Sequence, residues 1–126
     1  MRFYERQFIT RQDMHLDSLA RFEKLIDDYL YSGMPSTHGI PTVQYFADKV
    51  FLSPNYFGDL VKRETGKSAK EYIQLKMLQM AKENLMNPDQ TITQVAQMLG
   101  FQYPQHFVRF FKKYEGVTPG EYRQVN

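Results

Sequence analysis

Apolar positions recur at helical spacing through most of the chain. Leu16, Leu19, Phe22, Ile26, Tyr29 and Leu30 fall on one broad face and predict a helix over about 16–32, with Gly33 as its left-handed stop. From Thr42 onward the start signals repeat. Ser53-Pro54 reads as an N-cap followed by proline at the first helical position. Ser68-x-x-Glu71, Thr91-x-x-Gln94 and Thr118-x-x-Glu121 read as capping boxes. Stops stand at Gly66, Asn87-Pro88, Gly100 and Gly116. The predicted helices are 42–50, 54–65, 69–86, 92–99, 104–115 and 119–124. No alternating β-branched run suggests a sheet, so the expected class is all-α. Two prolines and two glycines within SGMPSTHGIP, 32–41, predict a loop or a domain boundary. Residues 1–13 show no clear period and read as linker or the tail of a helix.

The pattern also repeats. Tyr56-Phe57-x-x-Leu60-Val61-Lys62-Arg63 is matched fifty residues later by His106-Phe107-x-x-Phe110-Phe111-Lys112-Lys113, and Tyr72 by Tyr122. The preceding helices match at an offset of forty-nine: Val43 with Ile92, Phe46 with Val95, Ala47 with Ala96, Val50 with Leu99. A short helix joined tightly to a second one, with alanine at the crossing, is the helix-turn-helix pattern. One copy is a weak signal, but two in register require every spacing to recur. Between them, the helix 69–86 spans ~27 Å at ~1.5 Å per residue, and with the ends of the units it sets the second helices near one DNA turn apart, ~34 Å. It is apolar on two sides: Ile73, Met77, Met80 and Ala81 on one, Leu75, Leu78 and Leu85 on the other. Such a helix is expected between two subdomains.

Composition narrows the function classes. Hydrophobic residues make up 42% of the 126 and charged residues 24%, which fits a soluble globular domain rather than a disordered chain. No apolar stretch approaches the ~18 residues of a membrane span, and Arg2, Glu5, Arg6 and Arg11 interrupt any signal-peptide pattern. The expected location is the cytoplasm. Cysteine is absent, which excludes thiol catalysis, disulfides and cysteine-based zinc sites. His15, His38 and His106 have no metal-ligand spacing, and no nucleophile elbow or phosphate loop occurs. Neither an enzyme nor a cofactor is expected. Residues 1–41 carry five basic and six acidic side chains, whereas 42–126 carry eleven basic and eight acidic. The second part alone has a cationic excess to offer an anionic partner.

The residues from Gly100-Phe101 to Tyr122-Arg123, GFQYPQHFVRFFKKYEGVTPGEYR, resemble the AraC/XylS family of bacterial transcription regulators. The match covers about 42–126. It implies a DNA-binding domain of about seven helices in two homeodomain-like helix-turn-helix units joined by a long connecting helix. The expected organisation is 1–15 as linker or the tail of a further N-terminal domain, and 16–126 as the DNA-binding domain. Within it, 42–66 is the first unit, 68–87 the connecting helix, 91–116 the second unit and 118–124 the terminal helix. The resemblance also implies activation through RNA polymerase, and dimerisation through a domain outside this chain. The chain departs from the family pattern at Phe51, where glycine is common. It departs again in the connecting helix, where arginine is frequent near Leu75 or Met77 and both are apolar here, and at Tyr103, where a better N-cap is expected.

The outward positions of the second helices are the candidate site. In the second unit they are Gln105, Val108, Arg109 and Lys112; in the first, Asn55, Gly58, Asp59 and Lys62. Arg109 can donate two bonds to guanine, Gln105 or Asn55 can pair adenine, Val108 can meet a thymine methyl, and Asp59 can accept from cytosine or orient a neighbouring base-reading side chain. Gly58 has no side chain to read with, so the first unit is expected to select bases less strongly. Lys62, Arg63, Lys112 and Lys113 are candidate phosphate contacts; they equally suit the last turn of any helix. Phe107, Phe110, Phe111, Tyr114 and Tyr122 are expected in the core, with the methionines as fillers. The alternative is a helical protein-interaction module without DNA binding.

Overall fold

The computed structural model describes residues 11–125, with side chains described from residue 19. Eight helices and no strand occur among these residues: α1 Arg11–Tyr31, α2 Met34–His38, α3 Val43–Lys49, α4 Pro54–Thr65, α5 Ala69–Leu85, α6 Ile92–Met98, α7 Pro104–Glu115 and α8 Pro119–Val125. The stretch read as linker or helix tail lies outside the described residues up to position 10. From Arg11 it is helical, because no proline or glycine precedes Gly33 to break α1.

The segment 32–41 differs from expectation in a way that matters for the whole molecule. It holds α2, which starts from Gly33 in the left-handed region (φ 88°), with Pro35 buried in its first turn. The Tyr29 hydroxyl donates to the Gly39 carbonyl at 2.8 Å, and the Ser36 hydroxyl donates to the Gln97 carbonyl at 3.4 Å. The segment is thus a strap from α1 to the second unit, not an open boundary. Five helical residues are too few for apolar periodicity to show, so the punctuating glycines and prolines dominate the local pattern.

One core runs through the molecule. Phe22 of α1 meets Phe46 of α3 and Phe57 of α4 edge-on, at centroid distances of 5.7 and 4.5 Å. In the second unit Phe107 packs with Phe101 at 5.6 Å and with Phe111 at 5.9 Å, and Phe111 packs with Tyr122 of α8 at 5.4 Å. Each such pair contributes ~0.5–1.5 kcal/mol beyond its burial. Phe107 and Phe111 are fully buried, whereas Phe110, Tyr114 and Tyr122 are partly buried against the core.

The two-sided pattern of α5 has its expected consequence. Ile73, Met77, Met80, Ala81, Leu78 and Leu85 are all buried, and Leu75 is half-buried. Polar contacts then fix its neighbours. Lys76 bridges Glu23 at 3.4 Å and Asp27 at 3.1 Å on α1, and the Tyr72 hydroxyl donates to Glu23. On the other side Lys82 pairs with Glu115 at 3.1 Å, and the Tyr114 hydroxyl donates to Gln74. Arg123 of α8 closes the far end, donating from Nε to the Leu85 carbonyl at 2.8 Å and from Nη2 to the Asn87 carbonyl at 3.3 Å. These carbonyls belong to the last turn of α5 and the loop after it, which have no helical partner of their own.

Candidate nucleic-acid interface

The two units are built by the same backbone device. Ala47 in α3 and Ala96 in α6 are both fully buried where the paired helices cross. After each helix one residue takes a positive φ: Phe51 at 60° and Gly100 at 97°. The next amide then bonds back to the alanine carbonyl, Leu52 to Ala47 at 3.0 Å and Phe101 to Ala96 at 3.0 Å. This closure turns the chain sharply into α4 and α7. At the head of α4 the Ser53 hydroxyl accepts from the Tyr56 amide at 3.2 Å, whereas Tyr103 makes no such bond at the head of α7. Pro54 and Pro104 open both helices, and left-handed Gly66 and Gly116 close them.

Helical periodicity then decides which side chains face out. Phe57, Leu60 and Val61 of α4 and Phe107 and Phe111 of α7 point into the core. Asn55, Asp59, Lys62 and Arg63 are exposed, and so are Gln105, Arg109, Lys112 and Lys113; Gly58 and Val108 are half-buried. Each helix therefore presents its candidate residues at i, i+4 and i+7 on solvent, in the same register. The residue between them is a small glycine in one unit and a valine in the other. Among the described residues no carboxylate forms an ion pair with Arg109, Lys62 or Arg63. The Lys113 ammonium lies 5.6 Å from the Tyr114 ring centroid, so its stem is partly engaged along the helix surface.

The helices that follow both second helices are capped by side chains, but the box expected at Ser68-x-x-Glu71 forms only its serine half, whereas the one at Thr118-x-x-Glu121 is reciprocal. Ser68 accepts from the Glu71 amide at 3.1 Å; Thr118 and Glu121 exchange bonds at 2.9 and 3.1 Å. The bonds from Thr118, aided by the charge of Lys112, hold the Glu121 carboxyl below its ordinary range. Met77 of α5 is buried and Leu75 half-buried, so these two positions present no cation. No cluster of acidic or histidine side chains suited to a metal occurs among the described residues. No helix among them is long and apolar enough to cross a membrane.

Two matched helix-turn-helix units, each exposing polar and basic side chains from its second helix, define a double helix-turn-helix DNA-binding domain. A family model for a helix-turn-helix domain matches residues 46–125. The chain is 32% identical over 105 residues to the HTH-type transcriptional regulator YtdP of Bacillus subtilis, covering 83% of this chain but 14% of that protein. Its fold matches the C-terminal domain of AraT, a response regulator from Geobacillus stearothermophilus, with a TM-score of 0.75 at 23% identity, over 94% of this chain and 88% of that one. It also matches the DNA-binding domain of AdpA, a global transcriptional factor solved with a target DNA, with a TM-score of 0.69 at 20% identity, over 82% and 90% of the two chains. The chain belongs to the AraC-type family of DNA-binding transcription regulators.

Two features escaped the sequence reading. Arg123 was visible only as part of the terminal Tyr-Arg pair, and its role as a clamp on the end of α5 depends on tertiary proximity. The grip of the strap on the second unit had no local signal at all.

Proposed function

We propose that this chain recognises double-stranded DNA sequence-specifically, with α4 and α7 in successive major grooves on one face of the duplex. The carrying observation is the shared register: the same turn, core face and exposed positions occur in both units. In this reading Arg109 forks onto guanine O6 and N7, a contact worth ~1–3 kcal/mol of discrimination. Gln105 and Asn55 address adenine, Val108 a thymine methyl and Asp59 a cytosine amino group. Lys62, Arg63, Lys112 and Lys113 contact phosphate and set position without reading sequence. Residues 16–126 act as the binding domain, with 42–66 and 91–116 as its units, 68–87 connecting them and 118–124 as the terminal helix.

The chain spans 14% of YtdP, and a regulator of that kind has ample length outside this region. Contact with RNA polymerase, activation of transcription in the cytoplasm and a homodimer formed through another domain complete the proposal. A second DNA-bound copy would raise effective concentration, which suits a chain with a formal net charge of only +2. The test is duplex binding followed against salt. Binding that weakens steeply with salt, and loses preference at one or two base positions in Arg109→Ala, supports the reading. Equal affinity for unrelated duplexes, unchanged by that substitution, removes base readout.

A further inference from the structure

Both turns bend at a positive φ, yet they differ in what they can hold. In the first unit the position belongs to Phe51, whose φ is 60° and whose side chain is 92% exposed. That turn accepts a side chain because nothing is pressed against it. In the second unit the equivalent residue is Gly100, and a β-carbon there has no room. It would lie 2.6 Å from the Gly39 carbonyl carbon and 2.7 Å from the Ile40 nitrogen, both in the backbone of the strap. The glycine at position 100 thus answers to the strap as well as to its own φ of 97°.

This contact joins parts of the molecule that α5 alone does not fix. A connecting helix holds two units at a distance, but the rotation of one unit about that helix depends on contacts made off its axis. Besides α5 and α7, α6 packs on the strap. The strap is itself held from the first unit's side. The Tyr29 hydroxyl of α1 donates to the Gly39 carbonyl at 2.8 Å. Three residues further on, Thr42 caps α3, accepting from the Tyr45 amide at 3.1 Å. At most ~11 Å of backbone therefore separates the head of α3 from the residue pressed on Gly100. Gly100 in turn is where the chain bends into α7. The contact is backbone against backbone, with no flexible side-chain tip to yield. We infer that the strap sets the angle between the two recognition helices, and that Gly39 and Gly100 are positioning residues for the spacing of the DNA blocks those helices read. This rests on the DNA-binding reading above. One base pair added between the blocks turns one of them by ~35° about the duplex relative to the other. A protein with a fixed inter-unit angle cannot follow, so the duplex must twist or one unit must let go.

The test uses the duplex that the wild-type chain selects from random sequence, and versions of it with one base pair added or removed between the blocks. The wild type is expected to bind the altered spacers about tenfold more weakly or worse. The double variant Tyr29→Phe/Ser36→Ala removes both side-chain tethers of the strap. Its preference for the native spacer is expected to fall below about threefold. Gly100→Ala, which pushes the strap away, should narrow the preference in the same way; if it fails to fold, the double variant decides. Gly116→Ala, whose added carbon meets nothing within 4 Å, keeps the wild-type ratio and so separates lost positioning from lost stability. Indifference of the wild type to the spacer overturns the inference and leaves base reading intact. A wild-type ratio in the double variant does the same, as does a ratio lost equally in Gly116→Ala. Absence of duplex binding by the wild-type chain overturns both.

Discussion

Replacing Gly100 by alanine places a methyl group where the chain has backbone. A β-carbon there would lie 2.6 Å from the Gly39 carbonyl carbon, 2.7 Å from the Ile40 nitrogen and 2.9 Å from the Gly39 oxygen. None of these atoms can swing away as a side-chain tip does. The left-handed φ of 97° adds ~1–2 kcal/mol for any residue with a β-carbon. Relieving the clash requires the strap to retreat, which loosens the Tyr29 bond to Gly39, worth ~1 kcal/mol, and adjacent packing. The expected loss is about 3–4 kcal/mol. Gly116→Ala is the control, because it has a similar φ of 87° with nothing within 4 Å of the added carbon; it should lose only ~1–2 kcal/mol. Urea unfolding of both variants measures the difference directly. In the double variant with Tyr29→Phe the losses should fall short of additive, because the first substitution already disturbs the shared contact. Equal destabilisation by Gly100→Ala and Gly116→Ala would refute a strap pressed against the second unit.

Other outcomes follow from the same contacts. Burial, and then the Glu23 carboxylate beside it, pushes the Tyr72 hydroxyl up to about 12 from 10.0. A raised folded-state value means its stabilisation is full below pH 10 and is lost as pH rises toward 12. Melting temperatures taken through that window should fall less steeply in Tyr72→Phe than in the wild type. The depressed carboxyl of Glu121 acts at the other end: its contribution is present above the ordinary carboxylate range and disappears as pH falls through its lower folded value. Acid titration of stability in Glu121→Ala should therefore be flatter than in the wild type. Phe107→Ala, which empties a fully buried position between Phe101 and Phe111, should cost ~3–5 kcal/mol in urea unfolding.

Much of the helical frame was legible in the sequence, for reasons that particular residues make plain. Both recognition helices begin at proline and end at glycine, and α5 begins at a serine cap, so their limits agree with expectation within a residue. The connecting role of α5 was legible because its apolar residues exceed one stripe. The strap was not, since its contacts with Gln97 and Gly100 lie some sixty residues away in the chain. The conformation of Phe51 was legible only by comparison: an aromatic residue gives no local sign of a left-handed φ, but glycine is common at this place in the pattern the chain resembles, and Gly100 stands there in the second unit. For the candidate interface, duplication revealed which positions face outward. The bases opposite them belong to the partner and cannot be read from this chain's side chains alone.

Selection of bound sequences from random duplexes, run in parallel on the wild type and Arg109→Ala, tests the central claim most directly. The account predicts two enriched blocks with centres about 10 base pairs apart. The substitution should erase the guanine preference in one block and leave the other intact. A single block, no enrichment, or an identical sequence profile from the two proteins would contradict it.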